Sequence, residues 1–318
     1  GLIGLTSGQY QAAQRYSPSC DLLFACGDIV PILFARLTGR PFVVFLVSTS
    51  SYYEGRVKLP WLAQWGMKSP QCLAILTRDR YTAQDLLGRG FVRTQFLGYP
   101  IMDVLQPGGQ MFPVIGEPLI ALLPGSRLPE AKINLGLMLE LCEAIAQVRP
   151  AQFRIALVPG FTQVHLTDLA TKHGWKIETG CLQKGKVTVY YHYDAFADIL
   201  HQCDLVVGMA GTAVEQAVGL GKPIIQIPGP GPQFTYLFAE AQMRLLGDSV
   251  VTIGTRPATT KTLTQAAIKI DEILGDAPYL KHCQANGRER VGEPGGSEAI
   301  AHQILEALNH LAKATSMV

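Results

Sequence analysis

Short apolar runs alternate with amphipathic helical patterns along most of the chain. Each run ends in glycine or polar residues, and such nearly continuous apolar runs are typical of buried parallel strands. The helical patterns include Gln9–Tyr16, Ile29–Leu37, Glu130–Val148 and Thr162–His173. The predicted strands are Asp21–Cys26, Phe42–Val47, Cys72–Thr77, Thr94–Leu97, Leu119–Leu123, Phe153–Val158, Trp175–Glu178, Val187–Tyr191, Leu205–Val207, Ile224–Ile227 and Val250–Ile253. This alternation predicts an α/β fold.

The stretch Val206–Pro223 has the pattern of a βαβ unit. A strand end is followed by a Gly-Thr turn and a helix, and a second apolar run comes next. Gly211 lets a ligand approach the backbone, and the N–H groups of a helix start attract anions. Glu215, in the first helical turn, is placed to accept hydrogen bonds from vicinal hydroxyls. A nucleotide-sugar site is one interpretation, and a structural turn with a dipole-favoured Glu is the other.

The chain of 318 residues is too long for one ordinary core and suits two domains. The segment Gln106–Pro118 is rich in Pro and Gly and interrupts the alternation, so it is the predicted linker. We expect a first domain over residues 1–106, a linker over 107–118 and a second domain over 119–296. Residues 297–318 form a predicted final helix, and a return of this helix to the first domain is one interpretation. The chain opens on GLIGLTSGQY without Met, so we expect a preceding segment to be missing from the first domain.

Polar residues follow two predicted strands of the first domain. Asp28 comes after the strand that ends at Cys26, at the sheet edge where α/β proteins bind ligands. It is either a functional carboxylate or an ordinary helix N-cap. Ser48, Ser50 and Tyr53 follow the next strand in a polar, aromatic loop. Two interpretations are open for this loop and the nearby tryptophans: an acceptor or membrane-proximal surface, and an ordinary half-buried loop and helix.

Four loops of the second domain should meet at one sheet edge, because the carboxyl ends of parallel strands lie together. They are Gly125–Arg127, the Gly160 region, Ala210–Glu215 and Pro228–Gln233. The guanidinium of Arg127 suits a diphosphate because its planar fork binds two oxygens at once. The alternative for Arg127 is a surface ion pair.

The composition argues against several classes of protein. Charged residues make up 16% of the chain and the formal net charge is +2, without a basic run, so no nucleic-acid partner is expected. Seven cysteines without a C-x-x-C pair and seven histidines without metal-ligand spacing predict neither a disulfide framework nor a metal site. Phosphate-loop and dinucleotide motifs are absent from the sequence. We expect a cytoplasmic protein that needs no cofactor.

Two motifs of the second domain, LLPGSRLPE (122–130) and MAGTAVEQAVGLGKP (209–223), resemble the lipid-A-disaccharide synthase family. Weaker similarities lie at Cys26-Gly27-Asp28, at Val47–Ser50 and at Gly98–Asp103. The resemblance covers nearly the whole chain. It implies an inverting glycosyltransferase of the GT-B fold, in which two Rossmann-like domains face each other across a cleft.

The resemblance also implies roles for individual residues. Asp28 would deprotonate the acceptor hydroxyl, and Arg127 would assist departure of the UDP group, so these two are the candidate catalytic residues. Ser48, Ser50 and Tyr53 would lie on the acceptor side. The candidate residues for binding the donor are Gly125, Ser126, Arg127, Ala210, Gly211, Thr212, Ala213, Glu215, Gln216 and Gln233.

The implied partners are a UDP-sugar donor and a lipid or glycolipid acceptor, with peripheral contact with the inner membrane. The sugar would be an N-acetylglucosamine-type or acylated glucosamine unit. Two alternatives share the fold: a UDP-sugar 2-epimerase, and a non-catalytic protein that binds UDP-sugars or lipids.

The chain departs from the family pattern at several positions. Thr49 stands where the family has Pro, Ser51–Gly55 replaces the aromatic run that follows, and the L-P-N segment after the last strand is not seen. These differences indicate a divergent, synthase-related branch of the kind found in cyanobacteria.

Overall fold

The structure is a computed structural model that describes residues 2–113 and 116–316. The chain divides into two compact units. Unit 1 comprises the residues up to Asp103 together with those from Gly292 onward, and unit 2 runs from Val104 to Val291. Positions 1, 114, 115, 317 and 318, which the expected domains and linker include, lie outside the described residues.

Unit 1 is built on a four-stranded parallel sheet in the order β1-β2-β3-β4. Its strands are β1 (Leu23–Gly27), β2 (Phe42–Leu46), β3 (Cys72–Thr77) and β4 (Thr94–Gln95). Every residue of β2 is buried, as expected for a central strand covered on both faces. The predicted strands of this half are confirmed to within two residues at each end.

The helices of unit 1 include one that is longer than predicted. They are α1 (Leu2–Tyr16), α2 (Ile29–Leu37), α3 (Trp61–Met67) and α4 (Arg80–Gly88). The expected start of α1 at Gln9 was wrong, because the weakly patterned residues before it are helical too. The Tyr10 ring lies 5.7 Å from that of Phe34 on α2, so tertiary packing supports a helix that the local pattern alone does not.

Unit 2 contains an eight-stranded sheet in the order β12-β11-β10-β5-β6-β9-β8-β7. Its strands are β5 (Leu119–Leu123), β6 (Gln152–Leu157), β7 (Lys176–Glu178), β8 (Cys181–Lys184), β9 (Val187–Tyr193), β10 (Leu205–Gly208), β11 (Ile224–Gln226) and β12 (Val250–Thr252). All neighbouring pairs are parallel except β7 with β8 and β8 with β9. The six parallel strands therefore present their carboxyl ends at one edge.

Strand β8 is absent from the sequence prediction. It forms an antiparallel ribbon with β7 and β9 through two tight turns, in which Gly180 and Gly185 have φ values of +81° and +59°. Glycine adopts these left-handed conformations without a Cβ clash, so the chain reverses in two residues instead of crossing over through a helix. The ribbon lies at the far end of the sheet from β10.

The helices of unit 2 pack on the two faces of its sheet. They are α5 (Glu130–Val148), α6 (Gln163–His173), α7 (Phe196–Gln202), α8 (Thr212–Gly219), α9 (Tyr236–Leu246), α10 (Thr260–Gly275) and α11 (Ala277–Arg290). The core brings together buried side chains of β5, β6, β10 and β11 with those of α5 and α10. The strongly apolar face of α5 is the reason it was predicted with the same bounds.

The segment that opens unit 2 is held against the sheet by polar and aromatic contacts. The backbone N–H of Phe112 donates to the Gln202 side chain (2.9 Å), and the guanidinium of Arg154 stacks on the Phe112 ring at 4.1 Å. Arg154 also donates to Nε2 of His192 (2.9 Å), so this imidazole is a neutral acceptor. Burial and the nearby Arg154 charge both lower the pKa of His192. Phe112 of the proline- and glycine-rich segment is therefore packed against β6 and α7 of unit 2.

The last helix, α12 (Gly296–Ser316), belongs to unit 1. Its N-terminus lies against Gly98, where an added methyl group would come within 2.8 Å of the Gly296 Cα atom. Within residues 2–113 and 116–316, no helix combines the length and the apolar character that crossing a membrane requires.

Candidate functional site

Three strand-to-helix loops of unit 2 lie side by side because they follow adjacent parallel strands. Strand β10 pairs with β5 on one side and with β11 on the other, and Gly208 at the end of β10 is opposite Leu123 at the end of β5. The three loops, 124–129, 209–211 and 227–235, therefore emerge at the same edge. We refer to them together as the three-loop edge.

The first two of these loops touch through their backbones. Gly125 has a φ of +100°, and a methyl group there would lie 3.3 Å from the Met209 carbonyl oxygen. Nδ2 of the buried Asn134 donates to the carbonyl oxygens of Pro124 (3.0 Å) and Met209 (3.4 Å). Asn134 on α5 thus joins the predicted Gly125–Arg127 loop to the predicted turn at Gly211.

The turn after β10 presents unpaired donors. Among the described residues, the backbone N–H groups of residues 210–213 meet no hydrogen-bond acceptor. They surround the start of α8, where the helix dipole adds partial positive charge. The carbonyl of Gly211 points the other way, accepting from the N–H of Val214 (3.0 Å) and from the Gln242 side chain (3.3 Å). Backbone geometry of this kind suits a phosphate group.

Arg127 adds an exposed positive charge to the same edge. Its side chain is exposed, and the ion pairs of the described part of the chain do not include it. Among the described residues, Arg127 therefore does not form the surface ion pair that was the alternative interpretation. Ser126 is exposed beside it, while the Arg127 carbonyl accepts the Ala131 N–H (2.9 Å) and begins the helix.

Two further predicted donor residues, Glu215 and Gln216, are buried in the first turns of α8. Gln233 lies on the third loop with an exposed side chain, and its backbone N–H donates to the Glu130 carboxylate (2.9 Å). The predicted residues Gly125–Arg127, Ala210, Gly211 and Gln233 therefore lie on the three-loop edge, and Thr212 and Ala213 follow it as the first residues of α8.

Two residues that build this edge were missed as site residues. Glu130 and Asn134 lie one helical turn apart on α5 and are only 5% and 2% exposed. The signal in the sequence is a pair of polar residues at i and i+4 in an otherwise apolar helix pattern. Buried polar side chains need hydrogen-bond partners, and here the partners are the loops.

The predicted residues of unit 1 follow β1 and β2, which are paired in parallel with Gly27 opposite Leu46. Asp28 is exposed and caps α2, with Oδ1 accepting the Val30 N–H (3.1 Å). Ser48 is exposed, and Tyr53 is half-buried in a short 3₁₀ turn. Ser50 is buried and its hydroxyl oxygen accepts the Tyr52 N–H (3.1 Å), so it caps that turn.

The described residues contain no group of three or more His, Cys, Asp and Glu side chains arranged to hold a metal ion. At the three-loop edge, the donors are backbone N–H groups and one guanidinium. The arrangement can therefore bind and neutralise an anion with multiple oxygens.

Solved structures with the same fold define the class. A UDP-GlcNAc 2-epimerase from Neisseria meningitidis, bound to UDP-GlcNAc, matches 96% of this chain and 82% of its own with a TM-score of 0.60 and 14% identity. The spinosyn rhamnosyltransferase SpnG, bound to thymidine diphosphate, matches 95% of this chain and 79% of its own with a TM-score of 0.54 and 15% identity. The protein has the GT-B fold, with two Rossmann-like units.

Two curated proteins are similar to this chain in sequence. Lipid-A-disaccharide synthase of Geobacter sulfurreducens is 24% identical over 238 residues, which are 69% of this chain and 59% of the relative. The enzyme of the same name from Syntrophotalea carbinolica is 24% identical over 253 residues, again 59% of its length. The chain is a divergent relative of the lipid-A-disaccharide synthases and spans about 59% of the length of those two relatives. No family model matches it.

Proposed function

We propose that the chain is an inverting glycosyltransferase that moves a sugar from a UDP-sugar to a lipid-linked or glycolipid acceptor. The sugar is an N-acetylglucosamine-type or acylated glucosamine unit, as the relationship to lipid-A-disaccharide synthases suggests. The observation that carries the proposal is the three-loop edge, which follows adjacent parallel strands. There the N–H groups of residues 210–213 and the side chain of Arg127 have no partner among the described residues.

The donor side of the reaction rests on charge neutralisation. The N–H groups of residues 210–213 and the Arg127 fork bind the diphosphate, with Gly125 and Ser126 beside them. Glu215 accepts hydrogen bonds from the ribose hydroxyls, and Gln216 and Gln233 complete the donor site. As the bond from the anomeric carbon to the β-phosphate oxygen breaks, these fixed donors stabilise the developing charge, each by about 3–4 kcal/mol. No metal ion is required.

The acceptor side rests on Asp28. Its carboxylate takes the proton of the acceptor hydroxyl as that oxygen attacks the anomeric carbon, so the configuration inverts in one displacement. Ser48, Ser50 and Tyr53 line the acceptor region. A lipid acceptor also requires peripheral contact with the membrane, and the exposed Trp61 on α3 (74%) supports a surface of that kind.

UDP binding tests the donor half of the proposal. Titration calorimetry should detect UDP binding to the wild-type chain, and Arg127→Ala should weaken it at least tenfold, about 1.4 kcal/mol. The matched control is Lys172→Ala, which removes an exposed positive charge in the last turn of α6 and should leave the affinity unchanged. A wild-type chain that does not bind UDP would overturn the proposal.

A turnover assay separates the proposed activity from the two alternatives. The epimerase alternative is supported by the UDP-GlcNAc 2-epimerases among the solved structures with this fold. An epimerase converts UDP-GlcNAc without an acceptor, whereas a transferase releases UDP in proportion to the glycolipid formed. A non-catalytic binding protein binds UDP and does neither.

A further inference from the structure

We infer that Glu130 is a positioning residue, which holds the loop 227–235 against α5 so that the three-loop edge can bind the donor. This inference rests on the proposed function. It concerns a residue that does not itself reach the edge, because its carboxylate is 5% exposed and directed at backbone. Glu130 acts through the loop that carries Gln233.

The contacts of Glu130 are short and numerous. Oε1 accepts the N–H groups of Phe234 (2.6 Å) and Gln233 (2.9 Å), and Oε2 lies 3.2 Å from the same Gln233 nitrogen. A methyl group at Gly231 would lie only 2.7 Å from Oε1, so the loop backbone rests directly on the carboxylate. The absence of a side chain at Gly231 is what allows this approach.

The same helix start presents Arg127. Glu130 is the first residue of α5, three positions after Arg127, whose carbonyl oxygen accepts the Ala131 N–H (2.9 Å). The start of α5 therefore carries the anchor of the third loop three residues after the arginine that is proposed to bind the diphosphate. If that anchor is lost, Gln233 is no longer held at a fixed distance from Arg127.

Energetics favour a positioning role over simple stabilisation. The ion pairs of the described part of the chain do not include Glu130, so its burial is offset only by loop N–H groups and by the helix dipole. Burying a carboxylate without a cation is costly, and the two loop N–H groups recover only part of that cost. What the carboxylate adds is a fixed direction for two N–H groups.

The test compares geometry with charge at position 130. Glu130→Gln keeps an oxygen that can accept both N–H groups, so UDP affinity should stay within about threefold of wild type. Glu130→Asp keeps the charge but is one methylene too short, and we expect at least a tenfold loss of affinity for it and for Glu130→Ala. Affinities are measured by calorimetry below the thermal midpoint of each variant, where all are folded.

Asp198 offers a matched control in the same unit. It is 3% exposed, lies in the first turn of α7 and accepts the Gly109 N–H (3.0 Å), and a methyl group at Gly108 would lie 3.0 Å from its Oδ2. Asp198→Ala should lower the thermal midpoint while leaving UDP affinity unchanged. If Glu130→Ala behaves in the same way, the residue is merely structural and the inference is wrong.

Amide hydrogen exchange separates failure of the inference from failure of the proposed function. Exchange at Gln233 and Phe234 should accelerate in Glu130→Ala without any ligand present. Unchanged exchange would overturn the inference even if the wild type binds UDP. A wild type that does not bind UDP would overturn the proposed function, and Glu130 would then be only a structural anchor.

Discussion

At the scale of single residues, the N-cap contact of Asp28 is compatible with its proposed role as a base. Its Oδ1 caps α2, and the described residues offer no hydrogen-bond partner to Oδ2. A cap needs only one acceptor oxygen, so the second remains available to take a proton from an acceptor hydroxyl. The N-cap contact holds the carboxylate in place at the end of β1.

Asp28→Asn is the variant that separates the two roles. An amide oxygen can still cap the helix, but the side chain is no longer a base, so turnover should fall at least about 100-fold. UDP affinity and the thermal midpoint should both match wild type.

Asp28→Ala loses the cap as well, and should also be less stable by about 1 kcal/mol. Turnover is followed as UDP release with the acceptor present, and stability by urea unfolding. Retained turnover in Asp28→Asn would contradict the assignment of this residue as the base.

Residues also differ in how far their roles can be predicted from sequence. Arg127 follows a predicted strand within a glycine-containing turn, and its position at the sheet edge follows from local pattern alone. Glu130 and Asn134 could not be assigned in that way. Their partners at Phe234 and Met209 lie far along the chain and meet them only once the strands have been ordered.

At the scale of elements, the packing of α8 against β10 determines the direction of the N–H groups at the start of α8. A methyl group at Gly208 would lie 2.5 Å from Cγ2 of Val214, so only glycine lets the helix pack this closely. The position of the start of α8 is therefore determined by its packing against β10 as well as by the conformation of the turn that precedes it.

Gly208→Ala should destabilise the chain by about 1–3 kcal/mol through overpacking and should weaken UDP binding, because α8 must shift. Gly275→Ala is the control, since position 275 on α10 has no heavy atom within 4 Å of an added methyl group. Urea unfolding and calorimetry measure the two effects. Wild-type affinity in Gly208→Ala would show that the position of α8 does not control binding.

The ribbon β7-β8-β9 marks the limit of element prediction. Its strands are short and half-exposed, so their periodicity is weak beside that of β5 or β10. The two glycine-containing turns were the signal that could have predicted this ribbon. The α/β alternation assumes a helix between successive strands, but β7, β8 and β9 are joined by tight turns.

At the scale of the whole molecule, Asp103 lies where the chain leaves unit 1 and contacts the segment that re-enters this unit. The chain leaves unit 1 after this residue and returns at Gly292. The Asp103 carboxylate accepts the N–H groups of Gly295 and Ser297 and so caps α12. Partial burial raises the pKa of Asp103, but hydrogen bonds from the Ser297 hydroxyl and from the backbone of residues 295–297 outweigh this and lower it overall from its ordinary 3.8.

A lowered carboxyl pKa predicts stability that is present above pH 3.8 and is lost as the pH falls through the folded-state value. In Asp103→Ala, amides of residues 295–300 should exchange about fivefold faster at neutral pH, which corresponds to about 1 kcal/mol. The difference from wild type should shrink as the pH falls below 3.8. Asp21→Ala, which removes an exposed carboxylate of unit 1, should show no such difference. A difference that persists unchanged in acid would contradict the role of the ionised carboxylate.

The sequence by itself determined the alternation of strands and helices, the bounds of the strongly apolar elements and the loops in which candidate site residues lie. These features are local, because periodicity and turn chemistry act over a few neighbouring residues. Only the tertiary structure decided the strand order, which puts β11, β10 and β5 side by side. It alone also decided that Glu130, Asn134 and Asp103 serve loops and helices distant in sequence, because a buried polar group finds its partners only when the chain has folded around it.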